Sequence, residues 1–188
     1  MHAAEEAVAA RRTRALAGAL LGGAAVALTM GVYARVHTPA ARPLFDFGFS
    51  GMLQMKAWLT TAAMLLAFVQ LLTALWMWGR LPRAGSAPPW ASMLHRCTGT
   101  AAFVLTLPVA LHCIWSLGFS TGSPRVILHG IAGCTFYGAY TAKMIGLRAR
   151  GMPGWFLPVA GGVVLASLLM LWLTAALWFF TRSGLPLT

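Results

Sequence analysis

The chain has 188 residues, 59% of them hydrophobic and 9% charged, with a formal net charge of +11. With a mean hydropathy of +0.75, this composition excludes an ordinary soluble domain and points to an all-α, integral-membrane helical bundle. Glu5, Glu6 and Asp46 are the only carboxylate side chains, which argues against hydrolytic acid pairs, carboxylate metal cages and intramembrane acid relays.

Five apolar runs follow one another: Ala15 to Tyr33, Ala57 to Trp78, Cys97 to Phe119, Val126 to Ala142 and Trp155 to Phe180. A helix needs roughly 20 residues to span hydrocarbon, so the runs predict transmembrane helices over about 15–33, 52–78, 95–119, 125–147 and 154–180, within a single domain, 1–188. The first run follows Arg11 and Arg12 as a signal peptide would, but it exceeds the usual apolar length of about 7–15 residues and reads as the first membrane helix. Residues before it, His2 included, are expected to fray.

Basic residues predict the orientation. Arg11, Arg12, Arg14, Arg80, Arg83, Arg96, Lys143, Arg148 and Arg150 fall on one side, and Arg35, Arg42, Lys56, Arg125 and Arg182 on the other. The richer side is expected inside, which puts the N-terminus inside and the C-terminus outside. The positive charge then reflects topology and anionic lipid headgroups; no basic module for nucleic acid is present. Most tryptophans (Trp58, Trp76, Trp78, Trp90, Trp115, Trp155 and Trp178) fall near predicted helix ends, where amphipathic rings favour the interface. The outer loop from Ala34 to Ser50 carries Pro39, Pro43, Phe45, Phe47 and Phe49 and is too apolar for a free tether, so it is expected to lie against the membrane surface or a partner. The inner loop from Gly79 to Trp90, with Pro82, Pro88 and Pro89, reads as a linker.

An ionisable group at membrane depth marks a functional site by default. His112 near the outer end of the third predicted helix and His129 near the outer start of the fourth lie within a few Å of one level, at about 1.5 Å rise per residue. They are the candidate metal ligands. A b-type haem takes two neutral imidazoles and needs small residues where the macrocycle comes close. Gly133, Tyr137 and Lys143 continue the stripe of His129, Pro108 can bend the helix that carries His112, and Lys56 and Arg125 stand where propionates would end. Adjacent helices pack only about 8–10 Å apart, so the two histidines can also be split, each taking a second ligand from His37, Met52 or Met55. His95 lies roughly 25 Å from His112 along a straight helix; with Arg96 and Lys143 it marks an inner contact for headgroups or a quinone. The alternative for all these histidines is interhelical hydrogen bonding, with the glycines as packing positions. Asp46 is a solvated loop acid that can orient His37 or pair with Arg125. Cys97, Cys113 and Cys134 have no metal-ligand spacing and read as small apolar packing.

The stretches His95-Arg96 with Gly99, Pro108 to Cys113, Arg125 with His129, Gly133 to Gly138, Lys143-Met144, Pro153-Gly154-Trp155 and Lys56 to Leu59 resemble a family of small multi-helix membrane proteins of unknown function from high-GC bacteria. A more distant similarity is to transmembrane b-type cytochromes, from which this chain departs in having no histidine in the second or fifth predicted helix. With His112 and His129 as the ligand pair, the first expectation is a b-type cytochrome of the bacterial cytoplasmic membrane with one haem b. It would pass electrons between the quinone pool and an outer-face partner, an iron-sulfur or other redox protein. The other expectation is a cofactor-free accessory subunit of a larger respiratory complex, with membrane lipids around it and the aromatic outer loop as its docking surface.

Overall fold

The computed structural model describes residues 2–184, and within them all regular structure is helical. Five helices follow in chain order: α1 (His2–Val36), α2 (Met52–Met77), α3 (Trp90–Leu117), α4 (Pro124–Arg148) and α5 (Phe156–Ser183). Glu5–Val36, Met52–Met77, Trp90–Leu117 and Phe156–Ser183 are long and apolar enough to cross a membrane. The chain therefore has the character of a multi-pass membrane protein. With 25 residues, α4 has the length, but its glycines, threonines and tyrosines and Lys143 dilute its apolar content, so four of the five expected spans qualify on composition.

The helix starts differ from expectation at two places. The segment expected to fray is helical from His2, because Ala3, Ala4, Ala7, Ala9 and Ala10 interleaved with Glu and Arg are strong helix formers. The third helix begins at Trp90 rather than 95, which shortens the loop between α2 and α3. That loop opens on a Schellman turn: Gly79 at φ +64° donates to the Trp76 carbonyl at 2.9 Å, and Arg80 donates to Leu75 at 2.8 Å, so the last carbonyls of α2 are satisfied. Ser123 caps α4 by accepting from the Val126 amide, with Pro124 in the first turn.

Two helices carry π-helical turns, His112–Leu117 in α3 and Trp172–Leu177 in α5. The first begins four residues after Pro108, whose missing N–H already breaks the regular ladder. Such turns are uncommon and cluster at functional sites.

The helices group into two compact units. In the first, α1 packs on α4, and α4 on the part of α5 up to Leu171. The α1–α4 seam runs through small residues: a Cβ on Gly23 would stand 2.5 Å from the Gly138 carbonyl oxygen, and one on Gly138 would stand 2.7 Å from that of Gly23. Backbones meet there. Along α4, Gly130, Cys134, Gly138, Ala142 and Gly146 recur every fourth residue, so one small face meets Phe119, Gly31, Gly23 and Phe156 in turn; this is the small-residue packing of membrane helices. At one end of the unit Ala19, Ala142, Phe156 and Ala160 form a buried cluster against Leu16, Met152 and Leu157. In the second unit α2 pairs with α3, and the final turns of α5 from Trp172 pack on α2.

Candidate functional site

Within the second unit His112 is fully buried. Its Nδ1 lies 2.9 Å from the Pro108 carbonyl oxygen, and its Nε2 accepts the Leu44 backbone N–H at 3.1 Å. These partners fix the tautomer: the proton is on Nδ1 and the lone pair of Nε2 is already used. The Phe45 ring closes on the imidazole edge-on at 4.6 Å. His112 is thus the point at which the loop between α1 and α2 is fastened to α3.

Two more loop amides complete the fastening. Ala40 donates to the Trp115 carbonyl at 3.1 Å and Ala41 to that of Ser116 at 3.0 Å, satisfying carbonyls that a helix end leaves without partners. Positive φ values at Ala41 and Phe47 shape the path. Asp46 accepts from the Gly48 amide through its carboxylate at 3.1 Å and from Phe49 through its carbonyl at 3.1 Å. Its carboxylate therefore closes a turn, the local alternative to the roles at His37 or Arg125. The loop lies on α3, while Leu44 and Phe47 stay exposed.

This geometry leaves His112 no free ring nitrogen for haem iron. Iron bound to Nε2 of His112 would have to displace the Leu44 amide and leave that donor without an acceptor, so the fastened arrangement offers no ligand atom there. Among the described residues no group of three or more His, Cys, Asp or Glu is placed to hold a metal ion. Met55 is fully buried at the start of α2, and the neighbouring Lys56 is 9% exposed.

Further along the same unit a polar cluster joins α2 to α3. The Gln70 amide donates to the His95 carbonyl and to the Thr98 hydroxyl at 2.6 Å, while Thr73 Oγ1 lies 2.8 Å from His95 Nδ1. Gly99 makes room, since a Cβ there would stand 2.8 Å from Gln70 Oε1. His95 is tied by its ring and by its backbone into the helix pair; the neighbouring Arg96 is exposed. A third link is Trp172, whose indole N–H donates to Thr61 Oγ1 at 3.0 Å. Gln70, Thr73 and Thr61 are not among the residues expected at a site, although a glutamine inside the Ala57–Trp78 run carries the same signal as an intramembrane histidine.

The remaining candidates belong to the first unit. His37 follows the end of α1, its amide donating to the Tyr33 carbonyl at 2.9 Å and its ring stacked on Tyr33 at 5.1 Å. His129, Arg125, Tyr137 and Lys143 are half-buried along α4, and Tyr137 meets Phe136 edge-on at 5.0 Å. A Cβ on Gly133 would have only Leu171 near it, at 3.8 Å, so the close approaches in this helix are at Gly130, Gly138 and Gly146 instead. The three cysteines are free thiols, with Cys134 facing Gly31.

Fold and site together define a multi-pass helical membrane protein in which buried polar side chains join helices to one another and a loop to a helix. The family model for the DUF6529 family, a family of unknown function, matches residues 16–187. The chain belongs to that family. No curated protein and no solved structure matches it.

Proposed function

We propose that this chain is a cofactor-free accessory subunit of a membrane assembly, with the outer loop 39–50 as its docking surface. The observation that carries this reading is the double engagement of His112: one ring nitrogen holds Pro108 and the other holds Leu44, which makes the residue a structural fastener. A loop pinned by three amides and a ring contact presents Leu44 and Phe47 in a fixed geometry. Preorganisation of that kind lowers the entropic cost of docking, and exposed aromatic residues are common anchors at interfaces. The assembly that best suits such a subunit is a respiratory complex of the bacterial cytoplasmic membrane, with five helices crossing, the N-terminus inside and the loop outside.

The rival reading is a b-type cytochrome with iron on His112 and His129, exchanging electrons with quinone. A reduced-minus-oxidised absorption spectrum of the protein purified in mild detergent separates the two. The accessory reading expects no sharp α band, and expects the chain to migrate in native gels with a larger assembly from which Phe47→Ser releases it. An α band that disappears in His112→Ala and His129→Ala would replace it with the cytochrome.

A further inference from the structure

The first unit ends in a cluster of arginines that the proposed function does not use. Arg11 and Arg14 lie three residues apart on α1 and so share a face; Arg12 is beside them. Arg148 is in the last turn of α4, and Arg150 follows two residues later, past the extended Ala149 that ends the helix. The two groups are brought together at Gly151. This residue turns the chain at φ +85°, and a Cβ on it would stand 3.5 Å from both Cγ and Cδ of Arg11, so the aliphatic stem of Arg11 lies over the turn between α4 and α5. All five arginines are exposed, and among the described residues none of them is ion-paired. The nearest acids in sequence are Glu5 and Glu6, and Glu5 faces His2 at 3.9 Å.

The patch stands on a firm base. The adjoining turns of α1, α4 and α5 are held by the buried cluster of Ala19, Ala142, Phe156 and Ala160, packed with Leu16 and Met152. Trp155, 53% exposed, follows the turn, and tryptophans of this kind sit at headgroup level. At about 1.5 Å per residue, the 35 residues of α1 span roughly 52 Å against a hydrocarbon core of ~30 Å. The Arg11–Arg14 turn therefore falls at or beyond the edge of that core.

We infer that this end of the first unit binds the headgroup of a diphosphatidyl lipid, with Arg11 and Arg14 on one phosphodiester and Arg148 and Arg150 on the other. Arginine forks match phosphate oxygens in paired hydrogen bonds, and basic pockets between membrane helices favour headgroups carrying several negative charges. Two pairs of forks from two chain segments, set side by side by the Arg11–Gly151 contact, suit a headgroup with two phosphates joined by a short glycerol link. A single-phosphate lipid would engage one pair at a time.

The test uses full-length protein, delipidated in neutral detergent, with lipid binding followed by native mass spectrometry. Diphosphatidylglycerol and phosphatidylglycerol are compared at equal phosphate, with inorganic phosphate as a third probe. Diphosphatidylglycerol is expected to bind tighter than phosphatidylglycerol, and inorganic phosphate is expected not to compete at millimolar concentration. The double variant Arg11→Gln/Arg150→Gln is expected to weaken binding about fivefold per arginine removed, the equivalent of ~1 kcal/mol for each cation near a charged membrane surface. Arg42→Gln, an exposed arginine of the other unit, should leave it unchanged. Equal binding of the two lipids at matched phosphate, competition by free phosphate, or full binding by the double variant with unaltered helical content would overturn the inference.

Discussion

Glycine-to-alanine substitutions along α1 test the packing of the first unit, because one chemical change meets three different surroundings on one helix. At Gly18 an added methyl group meets nothing within 4 Å. Alanine there should stabilise by up to ~1 kcal/mol through helix propensity. At Gly22 the new Cβ would stand 2.5 Å from Cδ1 of Ile145, the far end of a flexible side chain that can rotate away, so the net change should be close to zero. At Gly23 it would stand 2.5 Å from the Gly138 carbonyl oxygen and 2.9 Å from Ala142 Cβ. Neither can move without moving α4. Overpacking of this kind costs about 1–3 kcal/mol, which exceeds the propensity gain and predicts net destabilisation. Gly138→Ala should do the same, since its Cβ would stand 2.7 Å from the Gly23 oxygen and 2.9 Å from Ala27 Cβ. Once the helices have been pushed apart, the second substitution costs little, so the double variant should be far less destabilised than the sum. Thermal unfolding in one detergent gives the order Gly18→Ala above wild type, Gly22→Ala near it, and Gly23→Ala and Gly138→Ala below it by about 2–4 °C per kcal/mol for a chain of this size. Equal midpoints for Gly18→Ala and Gly23→Ala, or strict additivity of the pair, would refute a backbone-to-backbone seam.

The second unit supports two more predictions. His112→Phe keeps a ring against Phe45 but leaves the Leu44 amide without an acceptor, at a cost of about 1–3 kcal/mol, and amide exchange over residues 40–45 should accelerate while that of α4 stays constant; slow exchange throughout the loop would count against the fastening role. Ser116 is 1% exposed and its Oγ has no hydrogen-bond partner among the described residues, so Ser116→Ala removes a hydroxyl that was desolvated without return. Its unfolding midpoint should stay level or rise, and a fall would show that the hydroxyl is bonded.

The sequence by itself determined the class of this protein, since apolar runs of membrane length, the near absence of acids and the basic flanks can be satisfied only by helices in lipid. The end of the second helix was also legible, because the apolar run stops at Trp78 and Gly79 turns the chain at φ +64°. What polar residues do at depth was not legible, because a buried imidazole has the same sequence signature whether it holds iron or a peptide N–H. What the tertiary structure adds is the partner of each ring nitrogen. A π turn begins at His112, and a loop starting some seventy residues earlier in the chain brings Leu44 to its Nε2. The small-residue stripe divides the same way. Sequence supplies glycines on several faces of α1 and α4, and only the crossing of the two backbones at Gly23 and Gly138 selects the ones that cannot carry a side chain.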